Sequence, residues 1–322
     1  MLAAPLSWAL ALLRSILPAA LPAVQPAALQ PAAATTTYLP TAAVPPVPVS
    51  LAGSGRSLLA ECLSALLDFF ATPEACELRL VCREFQAAVA AHPWEDRKTV
   101  ILGSIGAWRA CFPRARCANV RMLPLFWHTH RTAPLVDADF VHFEGLWELN
   151  MSFCKDVTDA ALAHLRGIRV LNMSGCLQLT LTDAGLAHLA GISRLSIAHC
   201  SQASITNAAF AALRGIRVLN MSGCPQFTDA AFAHLQGIHS LIMDGCTQLT
   251  ITDAALVHLK GITNLSLMSC AYPFTEAGLI HLRGAQVSMW NAHEDAIAAA
   301  RGVGLPVATG LFERFDATFF IL

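Results

Sequence analysis

Charge is scarce in this sequence. Only 13% of its 322 residues are Asp, Glu, Lys or Arg, and 21 basic against 22 acidic side chains leave a formal charge of −1. No excess of one sign is present to draw the chain as a whole to nucleic acid or to an anionic membrane. Motifs that carry common chemistries are missing as well. There is no phosphate-cradling glycine loop, no His-Glu-x-x-His, no nucleophile elbow and no acid–base pair at a telling spacing, which leaves catalysis without residues to perform it and points away from an enzyme. What the chain has in abundance is apolar material, 55% of all residues, enough to bury a core in two domains and to exclude disorder throughout.

Composition divides the chain. Residues 1–56 are almost wholly Ala, Pro, Leu, Val and Thr, with Arg14 and Arg56 the charged residues, and their proline content excludes any long helix. They read as a disordered Ala/Pro-rich tail or as a targeting segment. Against the second reading, MLAAPLSWALALL has no basic residue ahead of it, contains Pro5 and is too short to span a bilayer. From Ser57 the spacing becomes helical: Leu59, Leu63, Leu66, Leu67 and Phe70 share one face, and Thr72-Pro73-Glu74 ends that run and starts a second. The second run carries Leu78, Val81, Cys82, Phe85 and Val89 and closes at His92-Pro93-Trp94. A small helical domain over residues 57–96 follows, then a helical linker over 97–117. Cys111, Cys117, His128 and His130 match no usual zinc-finger spacing, so no metal is expected there.

The remainder is periodic. Blocks open with GLWELNMSFC, GIRVLNMSGC, GISRLSIAHC, GIRVLNMSGC, GIHSLIMDGC and GITNLSLMSC, and their glycines at 145, 167, 191, 215, 237, 261 and 284 are separated by 22, 24, 24, 22, 24 and 23 residues. Inside each block Leu-x-Met alternation puts every second side chain on one face, as a short strand requires. A TDAALAHL-type run follows and reads as a helix capped by Thr158, Thr182, Thr206, Thr228 or Thr252. VRMLPLFWH from Val120 fits a degraded first copy, and AQVSMWNA from Ala285 a last one. Six of the eleven cysteines, Cys154, Cys176, Cys200, Cys224, Cys246 and Cys270, fall at one repeat position, which marks them as small buried packing groups in a reducing compartment. A histidine also recurs, at 142, 164, 188, 234, 258 and 281, with Ala212 breaking the row. One imidazole per coil, about a helix diameter of 10 Å apart, is too widely spaced to share a metal.

A period in the low twenties containing Leu-x-x-Leu-x-Leu-x-x-Cys resembles the leucine-rich repeats, in their cysteine-containing subclass. It implies an α/β solenoid over residues 118–292, with parallel strands on the inner side and helices outside, closed by a C-terminal cap over 293–322. Upstream, SLLAECLSALLDFFATPEACELRLVCREFQAAVAAHPWED resembles an F-box. Glu61, Leu63, Leu66, Leu67 and Phe69 fit its first helix, Pro73 its turn, and Leu78, Leu80, Val81, Cys82, Arg83 and Phe85 its second. Leu59 stands where that family usually has proline, and Phe85 where tryptophan is commoner. The combination resembles F-box/leucine-rich-repeat proteins, and it implies a substrate receptor in a Skp/cullin/F-box ubiquitin ligase, cytoplasmic or nuclear, monomeric within a hetero-complex. In that reading Leu63, Leu66, Phe69, Pro73, Leu78, Val81 and Phe85 form or support the adaptor surface. The partners implied are a Skp-type adaptor, a cullin complex and a target protein, without cofactor, nucleic acid or membrane.

The target would meet the outward strand positions. Glu148, Asn150, Asn172, Arg194, Asn220, Asp244, Asn264 and Met268 are the candidates on the inner face, with Trp290 near its end. Asn-x-Ser sequons at Asn150, Asn172, Asn220 and Asn264 would put glycans across that face in a secreted protein, which argues against secretion. Two alternatives stay open: a leucine-rich-repeat interaction module without a ligase role, and a secreted leucine-rich-repeat protein.

Overall fold

A strand of three residues makes too few hydrogen bonds to persist alone, so the Leu-x-Met segments can be strands only where each has neighbours. That is the arrangement found. The computed structural model describes residues 66–80, 83–122, 134–178, 180–270, 274–289 and 294–308. Nine strands form one sheet in chain order, every neighbouring pair parallel: β1 (Cys117–Asn119), β2 (Glu148–Asn150), β3 (Val170–Asn172), β4 (Arg194–Ser196), β5 (Val218–Asn220), β6 (Ser240–Ile242), β7 (Asn264–Ser266), β8 (Gln286–Ser288) and β9 (Val307–Ala308). The register keeps leucine on leucine through Leu149, Leu171, Leu195, Leu219, Leu241 and Leu265. The residue after each strand extends the ladder: the amides of Met151, Met173 and Ile197 donate to the carbonyls of Asn172, Ser196 and Asn220 at 2.8, 2.9 and 2.9 Å.

Two departures from the sequence reading concern boundaries. The first strand lies at Cys117–Asn119, ahead of Val120, with Ala118 in register with Leu149. At the other end the segment read as a cap adds a ninth parallel strand after the helix Glu294–Gly302. The returning helices are also shorter than expected. Asp159–Ala163, Asp183–Ala187, Asp229–Phe232, Asp253–Val257 and Glu276–Leu279 are about one turn each, while Asp137–Phe143 and Asn207–Leu213 are 3-10 helices. The glycine that opens the next block explains the early stop. Gly191 and Gly215 have φ of +83° with nothing near a would-be Cβ, so what the site demands is the left-handed backbone of a turn.

Each coil contributes one layer to the core. The strand leucines, Met151, Met173, Ile197, Met221 and Met243 behind them, and Leu162, Leu186, Phe210, Phe232 and Leu256 from the helices are all at most 1% exposed. Burial on this scale stabilises by about 1.5–3 kcal/mol per large side chain. No single coil could hide such a face, and the ends are closed separately. At the first coil Trp108 meets Phe143 edge-on at 6.4 Å, and Phe140 meets Phe143 at 5.4 Å. At the last, Ala300 and Leu305 are buried beside β8 and β9.

The polar repeat positions bind one coil to the next. Each cysteine thiol donates to a backbone carbonyl of the preceding coil: Cys176 to Met151, Cys200 to Met173, Cys224 to Ile197, Cys246 to Met221 and Cys270 to Met243, at 3.0–3.4 Å. The acidic residue after each threonine, read from the sequence only as part of a helix start, makes a second rung. Asp159 accepts the backbone N–H and the hydroxyl of Thr182 at 2.8 and 2.5 Å, while Thr182 Oγ1 accepts the Ala184 N–H as an N-cap. Asp137, Asp183, Asp229 and Asp253 hold Thr158, Thr206, Thr252 and Thr275 in the same way. Asn207 replaces the carboxylate in one coil: its Oδ1 accepts the Thr228 N–H at 3.0 Å and its Nδ2 donates to Thr228 Oγ1 at 2.7 Å.

The chain divides into two compact units, one holding the described residues up to Trp94 with Ala110–Arg114, the other Glu95–Arg109 and the solenoid from Ala115. In the first unit, helices Thr72–Leu78 and Arg83–Ala91 bury Leu67, Leu78, Phe85 and Val89. The Trp94 indole donates to Val89 O at 2.8 Å and packs edge-on against Phe112 at 5.4 Å. Residues 1–56, read as a tail, lie outside the described residues.

The rungs make a direct prediction. Removing a charged acceptor that serves two donors costs about 1.5–3 kcal/mol, so Asp159→Ala should lower stability to urea by that amount. Asp159→Asn, which can copy the Asn207 geometry, should lose under about 1 kcal/mol. Equal losses for the two variants would show that the rung contributes nothing specific.

Candidate protein-binding surface

Strand alternation sends Leu149 and its counterparts toward the helices and the flanking residues to the open face of the sheet. The candidate residues there fall into three groups. Glu148 and Asn150 are not available to a partner: they are 5% and 3% exposed. Glu148 Oε2 accepts from Arg97 Nε at 2.8 Å, and Asn119, beside Asn150 in the sheet, donates from Nδ2 to Arg97 O at 3.0 Å. The segment around Arg97 is thus bonded to the outward side chains of β1 and β2, which sequence spacing could not reveal because Arg97 lies 51 residues from Glu148.

Asn172 and Asn220 form the second group. Each is half-buried, and each Oδ1 accepts both the backbone N–H (3.0 Å) and the hydroxyl (2.7 Å) of the serine two residues on, Ser174 or Ser222. Asn150 makes the same backbone bond to Ser152 at 3.1 Å. These are local turns that end the strand, and the Asn-x-Ser spacing that suggested glycosylation was their signal. The serines extend the network, Ser174 Oγ lying 2.7 Å from Ser196 Oγ and Ser222 Oγ accepting the Asp244 N–H at 3.1 Å.

Arg194, Asp244, Asn264 and Met268 are the third group, all half-buried on β4, β7 or the turns that follow the strands. Asp244 Oδ1 accepts from Ser266 Oγ at 2.5 Å and from Met268 N at 2.9 Å. Burial raises its carboxyl above the ordinary value of 3.8 although both hydrogen bonds pull it down. Between these polar groups stand Val170, Val218 and Ile242, also half-buried, so the open face from β3 to β7 mixes aliphatic and hydrogen-bonding side chains. It fits a flat or extended polypeptide better than a phosphate group, which calls for converging Arg or Lys. Trp290 lies outside the described residues.

On the helical unit, Phe69 is 86% exposed, Leu66 and Pro73 are half-buried, and Leu78 and Phe85 are in the core. The last two can support an adaptor surface but not touch a partner. Leu63 and Val81 lie outside the described residues. Leu80, 52% exposed, joins Phe69 as a large apolar group facing solvent.

The repeat cysteines are buried, and desolvation raises the thiols of Cys176, Cys200, Cys224 and Cys270, Cys200 and Cys270 to about 12, so these four are poor nucleophiles. Cys117 is likewise pushed up to about 12 by burial. Cys111 differs: a hydrogen bond with Cys76, aided by Arg79, lowers it to about 7 against the effect of burial. The histidine row is half-buried, as its spacing implied. Among the described residues no three His, Cys, Asp or Glu side chains group as metal ligands, and no helix is long and apolar enough to cross a membrane.

No protein-family model matches the sequence, and no curated protein does. Among solved structures the chain is similar to human 5T4, the trophoblast glycoprotein, at 18% identity over 61% of this chain and 78% of that one, with a TM-score of 0.48. It is similar to internalin C2 of Listeria monocytogenes at 18% identity over 63% and 84%, TM-score 0.47. To the yeast Rad7–Elc1 complex it is similar at 13% identity over 80% and 92%, TM-score 0.37. Likenesses of this size carry no functional argument, and the class rests on the coordinates. Parallel strands in chain order, one per repeat of 22 to 24 residues and each backed by a short helix, make this chain a leucine-rich-repeat solenoid, a fold that presents an extended surface for binding protein.

Asp244 yields a prediction with a definite sign. Its carboxyl is raised in the folded state, so the buried charge opposes folding above the folded value, and that penalty disappears as pH falls toward 3.8. Asp244→Asn, which keeps Oδ1 as the acceptor, should raise the melting temperature at pH 7, and the gain should shrink to nothing near pH 3.8. A variant less stable than the parent at pH 7 would contradict this.

Proposed function

We propose that the protein is a substrate-recognition subunit of a Skp/cullin/F-box-type ubiquitin ligase, with no chemistry of its own. The helical unit docks on a Skp-type adaptor and through it on a cullin complex, and the open face of the solenoid receives a target protein. The observation that carries the first half is the exposure of Phe69 and Leu80, 86% and 52%, on a unit whose helices otherwise bury their large apolar groups. Exposed aromatic and aliphatic groups at positions that match an F-box by sequence are what an adaptor groove would cover. Leu66 and Pro73 are half-buried on the same unit and Leu78 and Phe85 are in its core; Leu63 and Val81, which lie outside the described residues, belong to the proposed surface by their sequence match alone.

For the second half, the half-buried residues of the open face, Arg194, Asn264, Met268, Asn172, Asn220 and Asp244, would meet the target, and Trp290, outside the described residues, belongs to this surface by its sequence position alone. The secreted alternative is disfavoured by two observations. The nine described cysteines are free thiols, and the sequon side chains Asn150, Asn172 and Asn220 are occupied in turns, where a glycan would break the strand end. A reducing compartment, cytoplasm or nucleus, suits both.

Affinity capture with the tagged full-length chain should recover a Skp-type adaptor. Phe69→Asp should reduce that recovery about thirtyfold, the effect of losing about 2 kcal/mol at a hot spot, without lowering the melting temperature, because the side chain is exposed. A parent chain that captures no adaptor would leave the solenoid as a plain interaction module.

A further inference from the structure

Net charge near zero conceals a separation of sign along the solenoid. The acidic residues Asp137, Asp159, Asp183, Asp229 and Asp253 sit at helix N-termini and hold threonines of the next coil. The basic residues lie at the other end of the helices, in the turns that lead into the strands. Arg166, Arg169, Arg214, Arg217, Lys260 and Arg283 are all exposed there, and Arg194 opens β4 between them. Since each helix runs opposite to its strand, these are the two opposite lateral edges of the stack, one acidic and one basic.

The two edges differ in what their charges do. The aspartates serve the fold, whereas among the described residues none of the six exposed bases has a carboxylate within ion-pair distance. Two carboxylates of the first coils are occupied elsewhere: Glu144 by His164 at 2.7 Å and Glu148 by Arg97 at 2.8 Å. Three of the guanidiniums instead lie against groups of the following coil. Arg166 Nη2 lies 3.1 Å from His188 Nδ1, Arg214 Nε lies 3.4 Å from His234 Nδ1, and Arg169 Nη1 donates to Gly191 O at 3.0 Å. His188 and His234 thus have a structural task, and the three arginines retain further N–H donors, which favours carboxylate recognition. Charges placed for solubility alone are interspersed in sign. These are not.

We infer that this basic edge is a second binding surface, separate from the open face and independent of any adaptor, and that it takes an extended acidic peptide segment. Arg169 and Arg217 precede β3 and β5, two strand spacings or about 10 Å apart, and a peptide in the extended polyproline II conformation returns to the same face every three residues with a rise of about 9 Å. A carboxylate at every third residue would therefore meet successive arginines. Single-stranded nucleic acid is the weaker fit, because it is held by basic grooves interleaved with stacking aromatics. Trp147, which stands in register one coil before Arg169, already has Arg116 over its ring at 5.5 Å, and the residues in register with it in the next four coils are Arg169, Ser193, Arg217 and His239.

The test is fluorescence anisotropy with the full-length chain and a labelled synthetic peptide carrying Glu at every third position among Gly and Ser. Binding is expected to weaken with added salt, and to weaken about tenfold, or about 1.4 kcal/mol, for the Arg217→Glu/Lys260→Glu/Arg283→Glu variant and for the peptide with Gln in place of Glu. Lys155→Glu, at an exposed site after β2 and off this edge, should leave affinity unchanged, and Phe69→Asp should also bind the peptide normally, which separates this inference from the ligase reading. The inference is overturned if the triple variant, folded by circular dichroism, binds the peptide as well as the parent does. It is equally overturned if an oligothymidylate of matched charge binds tighter than the peptide, or if sedimentation shows that the edge only joins two copies of the chain.

Discussion

Hydrogen bonds between one coil and the next are the constraint on which this protein depends. A three-residue strand cannot satisfy its own backbone, so Met151, Met173 and Ile197 donate to the carbonyls of the following coil. The same holds for side chains. Cysteine reaches back for a carbonyl of the coil before, and aspartate reaches forward for a threonine N–H and hydroxyl. Because all these partners are 21 to 27 residues away, the repeat length cannot drift without breaking several bonds at once. Stability in such a stack is a sum of neighbour interactions, and the aromatic group at Phe143 and the strand β9 complete the outermost neighbours.

That constraint also decides which surface is left for partners. Asparagine on the open face is drawn into closing its own strand end, and aspartate on one edge into holding threonine, so neither is idle. The groups without such a task are the aliphatic side chains Val170, Val218 and Ile242, a few polar ones such as Asn264, and, on the opposite edge, cations such as Arg217, Lys260 and Arg283. Phe69 and Leu80 are exposed on the other unit.

Much of this was legible in the sequence, for a physical reason: periodic burial leaves a periodic pattern. The strand leucines, the cysteine row, the half-buried histidines and the threonine caps at 158, 182, 206 and 252 occupy the places that spacing assigned them, while Thr228 starts its helix without a side-chain cap bond. What spacing could not show was anything set by one coil alone. Glu148 and Asn150 share the pattern of Val170 and Asn172, yet they are buried, because Arg97, from outside the repeats, reaches Glu148. Helix length was overestimated because Thr-Asp-Ala-Ala-Leu reads as the start of an ordinary helix, while the turn at the left-handed glycine of the next block stops it after about one turn. Asn172 and Asn220 looked like recognition residues because a side chain that bonds to its neighbour two residues on has the same sequence signature as one that points to a ligand. The charged edges escaped notice because summation over the chain cancels signs that the fold keeps apart.

Amide hydrogen exchange tests the central claim most directly. If the coils are bound to one another as described, the amides of Met173, Ile197, Met221 and Met243, which donate across coils at 2.8–3.1 Å, should be among the slowest to exchange and should do so at similar rates, with Val120 and Met289 near the ends faster. Slow exchange confined to the short helices, with the strand-end amides of the middle coils exchanging freely, would contradict it.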